Sequence, residues 1–179
     1  DNLSFDVVSD LDYVFAAIVK AKQALAGRVP LIGFSGSPWT LAAYMIEGSG
    51  SKTFNKALSL VNSQPQAAHK LLSCLTANVI KYCSAQIEAG ADAIMLFDSH
   101  GGKLANNQYD DFSLQYLANI IQVIKSVYPQ VPIIVYGLLD TDRAIKLASI
   151  KPDVLGVSHL ADLALVRKKV AADIVLQGN

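Results

Sequence analysis

Five short stretches of almost uniformly apolar residues recur along the chain, separated by longer segments of mixed polarity. A strand with apolar residues on both faces is typical of a parallel sheet, which other elements cover on each side. We therefore predict five parallel strands: PLIGF (30–34), AIMLF (93–97), PIIVY (132–136), DVLGV (153–157) and DIVLQ (173–177).

The intervening segments carry helical signals. Residues 9–26 repeat their apolar positions at helical spacing, which favours an amphipathic helix. The segment Ser63-Gln64-Pro65-Gln66 predicts a second helix with Ser63 as its N-cap, running to about Glu88. Further helices are predicted in the ranges 109–127, 142–150 and 161–171.

Alternating strands and helices indicate an α/β fold with right-handed crossovers. We find no linker and assign residues 1–179 to a single domain. Two architectures compete. A doubly wound dinucleotide-binding sheet would carry a GxGxxG or P-loop motif, and none occurs here. A (β/α)8 barrel typically needs about 250 residues, more than this chain has.

Both architectures place function at the carboxyl ends of the strands. The segment FDSHGG (97–102) is one such end. Alone it is compatible with a simple turn, but all five strand ends are rich in glycine, hydroxyl and aromatic residues, which indicates a ligand-facing surface. We expect Asp98 to be structural, capping the following turn. Gly101 and Gly102 are expected to let the backbone approach a bulky ligand.

Composition narrows the class of protein. With 52% hydrophobic residues, and with Lys plus Arg equal to Asp plus Glu at 15 each, the chain suits a globular protein and gives no overall field for nucleic acid or a membrane surface. No apolar run reaches the roughly 18 residues of a membrane span. Cys74 and Cys83 lack a CxxC partner, and the histidines share no ligand spacing. We therefore expect reduced thiols, no metal and a cytoplasmic location.

One long segment resembles a known family. Residues 30–48, PLIGFSGSPWTLAAYMIEG, resemble the uroporphyrinogen decarboxylases of haem biosynthesis. The resemblance extends over essentially the whole chain and includes four further segments: SKTF (51–54), QIEAGADAIMLFDSHGG (86–102), FSLQY (112–116) and LQGN (176–179).

The resemblance implies a fold and a reaction. It implies a (β/α)8 TIM barrel, of which this chain would supply about strands three to seven, in a cytoplasmic homodimer without cofactor or metal. The family converts the four acetate side chains of uroporphyrinogen to methyl groups, giving coproporphyrinogen and CO2. Loss of CO2 leaves carbanion character, and a pyrrole ring protonated at carbon can accept those electrons.

The resemblance also implies roles for five residues. Tyr44 matches the active-site tyrosine, and Ser99 matches the substrate-binding serine. Both would hydrogen-bond substrate carboxylates. Phe34 and Phe97 match aromatic wall positions against the macrocycle, and His100 would lie beside Ser99 at the mouth of the pocket. We expect Tyr44 and Ser99 to line one cavity sized for a tetrapyrrole.

Several family features are not found in this sequence. The arginine pair, the catalytic aspartate and the C-terminal histidine of the family have no match in residues 1–179, so we expect the isolated chain to be inactive. Its arginines are Arg28, Arg143 and Arg167, few for a ligand with eight carboxylates. The segment 137–141 replaces a Lys-Gly-rich loop, and residues 158–159 replace an Asp-Trp pair.

Two other classes stay open: a truncated, non-catalytic homologue, and a corrinoid-dependent methyltransferase of the same superfamily, which would need zinc ligands. Five strands do not close an eight-stranded barrel. We therefore expect open sheet edges that are prone to aggregation unless another chain covers them.

Overall fold

A computed structural model describes residues 6–178 of the chain. All five predicted strands are confirmed, and each begins one or two residues later than its pattern or at the same residue. The strands are β1 (Ile32–Gly36), β2 (Ala93–Asp98), β3 (Ile133–Gly137), β4 (Val154–Val157) and β5 (Val175–Gln177).

The strands form one parallel sheet in the order β1-β2-β3-β4-β5. Each strand therefore lies beside its predecessor in sequence. A doubly wound sheet reverses its strand order at a switch point, whereas the strands of a (β/α) barrel follow one another around it. The sequential order decides between the two architectures that the sequence left open: the chain has the α/β fold of the TIM-barrel class.

Nine α-helices lie in the described residues: α1 (Val7–Asp10), α2 (Asp12–Leu25), α3 (Pro38–Glu47), α4 (Asn55–Ser63), α5 (Pro65–Glu88), α6 (Asn106–Tyr109), α7 (Gln115–Val127), α8 (Thr141–Ala148) and α9 (Leu163–Lys169). A 3₁₀ turn covers Gly101–Lys103, and a π-helical turn (Asp110–Leu114) joins α6 to α7. Helices were predicted for most of these ranges, but α3, α4 and all of α6 except its last residue were missed.

Two details of the predicted helices are wrong. Ser63 does not cap α5, because it is the last residue of α4 and its hydroxyl donates to the carbonyl of Ser59 at 2.7 Å. Gln64 takes the N-cap position of α5 without a side-chain hydrogen bond. The predicted helix over 9–26 is also interrupted, since Leu11 separates α1 from α2.

The two faces of the sheet differ in burial. The outer face packs on the helices, and its apolar side chains are fully buried: Ile94, Leu96, Ile133, Val135 and Leu155. The inner face corresponds to a barrel interior, and on it Phe34 is 62% exposed and Val175 60% exposed. The expectation that both faces are covered therefore holds for the outer face alone within the part of the chain described.

Candidate functional site

Two of the predicted site segments meet at the carboxyl end of the sheet. Tyr44 lies on α3, the helix that follows β1, whereas Ser99 and His100 form the turn that follows β2. The rings of Tyr44 and His100 lie 5.1 Å apart at 67°. The structure thus brings Tyr44 close to the segment that carries the half-buried Ser99.

The two predicted wall residues are also brought together. Phe34 and Phe97 lie on the inner face with ring centroids 6.0 Å apart at 85°. Tyr136 of β3 continues the row, 6.1 Å from Phe97 at 65°. We call Phe34, Phe97 and Tyr136 the aromatic row. Sequence reasoning missed Tyr136, although counting inward positions along PIIVY would have identified it, since the register pairs it with Phe97.

A cavity of about 300 Å³ lies on the inner face beside the aromatic row. Its lining joins β2 to β5 and comprises Met95, Phe97, Tyr136, Gly156, Val157, Ser158, Gln177 and Gly178. Phe97 thus belongs both to this cavity and to the aromatic row near β1. A single cavity lined by Tyr44 and Ser99 together stays a prediction.

His100 occupies an apolar environment. Besides Tyr44, its ring contacts Phe54 at a centroid distance of 4.2 Å. Burial lowers the pKa of the His100 imidazole, and the positive charge of Lys103 acts in the same direction. His100 is therefore neutral at pH 7. Its carbonyl accepts a 2.9 Å hydrogen bond from Nε1 of the buried Trp39, so Trp39 ties α3 to this turn.

Asp98 is fully buried and lies on the outer face with Ile94 and Leu96. Its Oδ1 accepts a 2.7 Å hydrogen bond from the Ser37 hydroxyl, which accepts one from the Thr40 amide at 3.0 Å. Burial raises the pKa of the Asp98 carboxyl, and hydrogen bonding by Ser37 and the nearby hydroxyls acts in the opposite direction. Asp98 thus has a structural role, but it supports the start of α3 through Ser37.

The expectation for the two glycines of FDSHGG is wrong. A Cβ on Gly101 would overlap the Asp98 carboxylate and lie 2.8 Å from the ring of Tyr109. A Cβ on Gly102 would lie 2.6 Å from the carbonyl oxygen of Leu138. Both glycines therefore permit close packing within the protein rather than the approach of a ligand.

Arg143, the one arginine near these strand ends, is bound to the protein itself. Its guanidinium donates to the carbonyls of Gly102 at 2.8 Å and Leu104 at 3.0 Å, and its Nε donates to Asn106 Oδ1 at 2.8 Å. Arg143 therefore fixes the segment that follows the Ser99-His100 turn.

The other two arginines of the sequence are engaged in the same way. Arg28 donates to the carbonyl of Ala24 at 2.9 Å, and Arg167 donates to that of Ile174 at 2.8 Å. All three guanidinium groups therefore donate to backbone carbonyls of this chain.

The two segments that depart from the family pattern contact each other. Ser158 is 4% exposed, and its hydroxyl donates to the Leu139 carbonyl at 2.7 Å and accepts from the Leu160 amide at 3.3 Å. The altered segment 137–141 and the altered residues 158–159 are thus joined by this hydroxyl. They form one change of the surface at the ends of β3 and β4 rather than two.

The described residues contain no group of three or more His, Cys, Asp and Glu side chains arranged to hold a metal ion. Cys74 and Cys83 both lie within α5. Burial raises the pKa of the Cys83 thiol to about 12, so at neutral pH it is not the thiolate that binds metal.

Comparison with known proteins agrees with this class of fold. A solved structure of a methyltransferase from Methanosarcina mazei superposes with a TM-score of 0.73 over 92% of this chain and 47% of its own, at 18% identity. At that identity the likeness concerns the fold alone. None of the helices in residues 6–178 combines the length and apolar character that crossing a membrane requires.

Sequence comparison is more specific. The sequence profile of the family "Uroporphyrinogen decarboxylase (URO-D)" matches residues 2–179. The uroporphyrinogen decarboxylase of Legionella pneumophila (strain Lens) is 44% identical over 97% of this chain, and that of Dichelobacter nodosus is 48% identical over 100%. This chain belongs to the uroporphyrinogen decarboxylase family. It spans about half the length of these two relatives, 49% and 51% respectively.

Proposed function

We propose that this chain is the central part of a uroporphyrinogen decarboxylase, a carboxy-lyase of haem biosynthesis. One observation carries the proposal beyond family membership. The Tyr44 ring lies 5.1 Å from the ring of His100, next to Ser99, at the carboxyl end of the sheet that presents the paired rings of Phe34 and Phe97. Hydroxyl groups beside an apolar aromatic wall suit a bulky macrocycle with carboxylates at its edge.

The chemistry assigns a role to each of these residues. The hydroxyls of Tyr44 and Ser99 would donate hydrogen bonds to substrate carboxylates and orient the acetate that leaves as CO2. Phe34 and Phe97 would pack on the macrocycle and exclude water, which strengthens electrostatic interactions around the cationic pyrrole formed on ring protonation. The neutral His100 would border the substrate without adding charge.

We propose in addition that the longer protein is a cytoplasmic homodimer that acts without a cofactor. The family resemblance supports each of these statements. Uroporphyrinogen is the proposed ligand, and neither nucleic acid nor a membrane is proposed as a partner.

The isolated 179-residue chain is expected to be inactive. A substrate with eight carboxylates needs several cations, yet Arg28, Arg143 and Arg167 all donate to backbone carbonyls of the chain itself. Cationic and acid groups from elsewhere in a longer protein are therefore required.

The test compares two proteins under anaerobic conditions, the 179-residue chain and a protein of the relatives' full length that contains it. Loss of uroporphyrinogen is followed by chromatography of the oxidised porphyrins. The longer protein should decarboxylate the substrate, and the short chain should not. Turnover by the short chain, or no turnover by the longer protein, would contradict the respective proposal.

A double variant tests the assigned residues. Tyr44→Phe with Ser99→Ala removes two hydrogen bonds to charged groups, and kcat/KM should fall by a factor of about one hundred or more. The control combines Tyr13→Phe with Ser59→Ala, at two exposed positions on α2 and α4. Unchanged turnover in the first variant would refute the assignment.

A non-catalytic homologue is the second candidate, and the occupied arginines favour it together with the joined change at Ser158. Binding of uroporphyrinogen by the longer protein without CO2 release would support this candidate. The methyltransferase alternative has less support, because Cys83 is buried and protonated and Cys74 lies on the same helix.

A further inference from the structure

Three aromatic rings from three parts of the chain meet beside the candidate site. Phe54, which is 1% exposed, contacts Tyr44 of α3 with centroids 5.8 Å apart at 88°. It also contacts His100 of the β2 turn at 4.2 Å and 41°. Since Tyr44 and His100 also contact each other at 5.1 Å, each ring touches the other two, and Phe54 is the most deeply buried of the three.

The backbone of Phe54 is in an unfavourable conformation. Its φ of 55° and ψ of 40° lie in the left-handed region, at the N-cap of α4. A bulky side chain is rare there because its Cβ approaches the carbonyl oxygen, and such strain persists only where the surroundings impose it. This position therefore places a phenyl ring where glycine or asparagine would be easier to accommodate.

Neighbouring hydrogen bonds hold this conformation. The Ser51 hydroxyl accepts from the amides of Thr53 at 3.2 Å and Phe54 at 2.9 Å. Glu47, the last residue of α3, accepts from the amides of Lys56 at 2.7 Å and Ala57 at 3.3 Å through its Oε1. Glu47 thus links the end of α3, the helix that carries Tyr44, to the start of α4, the helix that follows Phe54.

We propose that Phe54 is a positioning residue, which sets the separation between Tyr44 and the Ser99-His100 turn. The effect of Phe54 on substrate binding rests on the function proposed above. Its effect on the Tyr44 and His100 side chains does not. Within the described residues the buried Nε2 of His100 has no hydrogen-bond partner, so the packing of Phe54 and Tyr44 orients this ring. Without Phe54, the Tyr44 and His100 rings would lose the buried side chain that packs against both, while Trp39 of α3 would still hold the turn through its hydrogen bond to the His100 carbonyl.

Two substitutions separate the ring from the backbone. Phe54→Gly removes the ring and suits the positive φ, so α4 should keep its start. Phe54→Leu keeps an apolar side chain of similar bulk without a flat ring face. The matched control is Phe112→Ala, which removes another buried phenylalanine, stacked on His69 with centroids 4.5 Å apart at 14°.

The first readout is nuclear magnetic resonance of the 179-residue chain, with circular dichroism as a check of folding. In both Phe54 variants we expect weaker nuclear Overhauser contacts between the Tyr44 and His100 rings. In Phe54→Gly the pKa of His100 should rise toward its ordinary value, because the burial that lowers it is reduced. The control should alter the signals of His69 and leave those of His100 unchanged.

Wild-type ring contacts together with an unchanged His100 titration, in whichever Phe54 variant stays folded, would overturn the proposal. The second readout is kinetic and uses the longer protein. An edge-to-face ring pair corresponds to a factor of about two to ten in an equilibrium constant. Phe54→Gly should therefore raise the KM for uroporphyrinogen by about that factor and change kcat less.

The two readouts test separate claims, so one can be refuted without the other. A longer protein with no decarboxylase activity would refute the proposed function, while the ring contacts and the His100 titration would still decide the role of Phe54. Altered ring contacts with an unchanged KM would show that the positioning does not reach the substrate, which would overturn that part of the proposal.

Discussion

Substitution of Gln86 should weaken the protein at the first edge of its sheet. Gln86 lies on α5 and is 2% exposed. Its Oε1 accepts from the Phe34 amide at 3.0 Å, and its Nε2 donates to the Phe34 carbonyl at 3.1 Å. A Cβ on Gly33 would lie 2.7 Å from that Oε1. The side-chain amide of Gln86 therefore reaches β1 only because residue 33 is glycine.

These two backbone groups face away from β2. The Ser37 amide donates to the Phe97 carbonyl, and the hydrogen-bonding directions of a strand alternate from residue to residue. Phe34, three residues earlier, therefore directs its amide and carbonyl toward the open side of β1, the first strand of the sheet. The side chain of Gln86 takes the place there of a neighbouring strand.

Gln86→Leu removes both hydrogen bonds and keeps an apolar side chain of similar size. At about 0.5–1.5 kcal/mol for each bond, the free energy of unfolding should fall by about 1–3 kcal/mol. For a chain of this length that corresponds to a decrease in Tm of roughly 2–12 °C. Urea unfolding and hydrogen exchange at the Phe34 amide measure the global and the local effect, respectively.

The control is Gln66→Leu, an exposed position in the first turn of the same helix, which should change the urea midpoint little. Hydrogen exchange should accelerate at the Phe34 amide in the Gln86 variant alone. If that variant keeps both the wild-type midpoint and the wild-type protection of Phe34, Gln86 does not stabilise the edge and the reasoning fails.

Two further substitutions test the support beneath the site. Because burial raises the pKa of Asp98, its bound proton stabilises the fold below the unfolded-state pKa, and this stabilisation is lost as pH rises to the folded-state pKa. Asp98→Asn keeps an acceptor for Ser37, so its stability relative to wild type should grow from about pH 4 upward in urea unfolding; a pH-independent difference would contradict this. Arg143→Met should lower the unfolding free energy by about 2–3 kcal/mol and speed hydrogen exchange in the segment 102–106. Arg28→Met, whose guanidinium bonds within its own helix terminus, should cost less, and equal costs would argue against a special role for Arg143.

The strands were predictable because short, nearly uniform apolar runs are typical of strands buried in a parallel sheet. The apolar runs do not determine the first residue of each strand. PLIGF and PIIVY both begin with proline, which has no amide to donate to a ladder. β1 and β3 accordingly begin at Ile32 and Ile133. The first residue of DVLGV, Asp153, instead bonds the Ile133 amide at 2.8 Å through its side chain. The hydrophobic pattern does not indicate where a side chain, rather than the backbone, forms the hydrogen bond at the end of a strand.

The helix α3 was predictable in principle and was missed. Ser37 precedes Pro38, and the Ser37 hydroxyl accepts from the Thr40 amide at 3.0 Å. An N-cap serine followed by proline in the first turn is a standard helix start. The family resemblance emphasised the same residues as a binding motif, and their role in starting the helix that carries Tyr44 was overlooked.

The support of the site could not be predicted from the sequence, because it depends on contacts between distant residues. Phe54 meets His100, and Gln86 meets Phe34, across 46 and 52 positions of chain. No local pattern encodes these distances. The glycines of FDSHGG were misinterpreted for the same reason, since the need for Gly101 arises from the outward direction of Asp98 and from Tyr109.

The expectation of two aggregation-prone edges changes once these contacts are considered. Gln86 already satisfies the middle of the β1 edge, and β5 is only three residues long, so neither edge offers a long row of free backbone groups. The inner face is different, because Phe34 and Val175 are 62% and 60% exposed there. Apolar burial on that face is therefore a stronger force for association of this chain than strand addition at the edges. Charged substitutions of the inward-facing side chains of Phe34 or Val175 should reduce self-association more than changes that affect the backbone edges of β1 and β5.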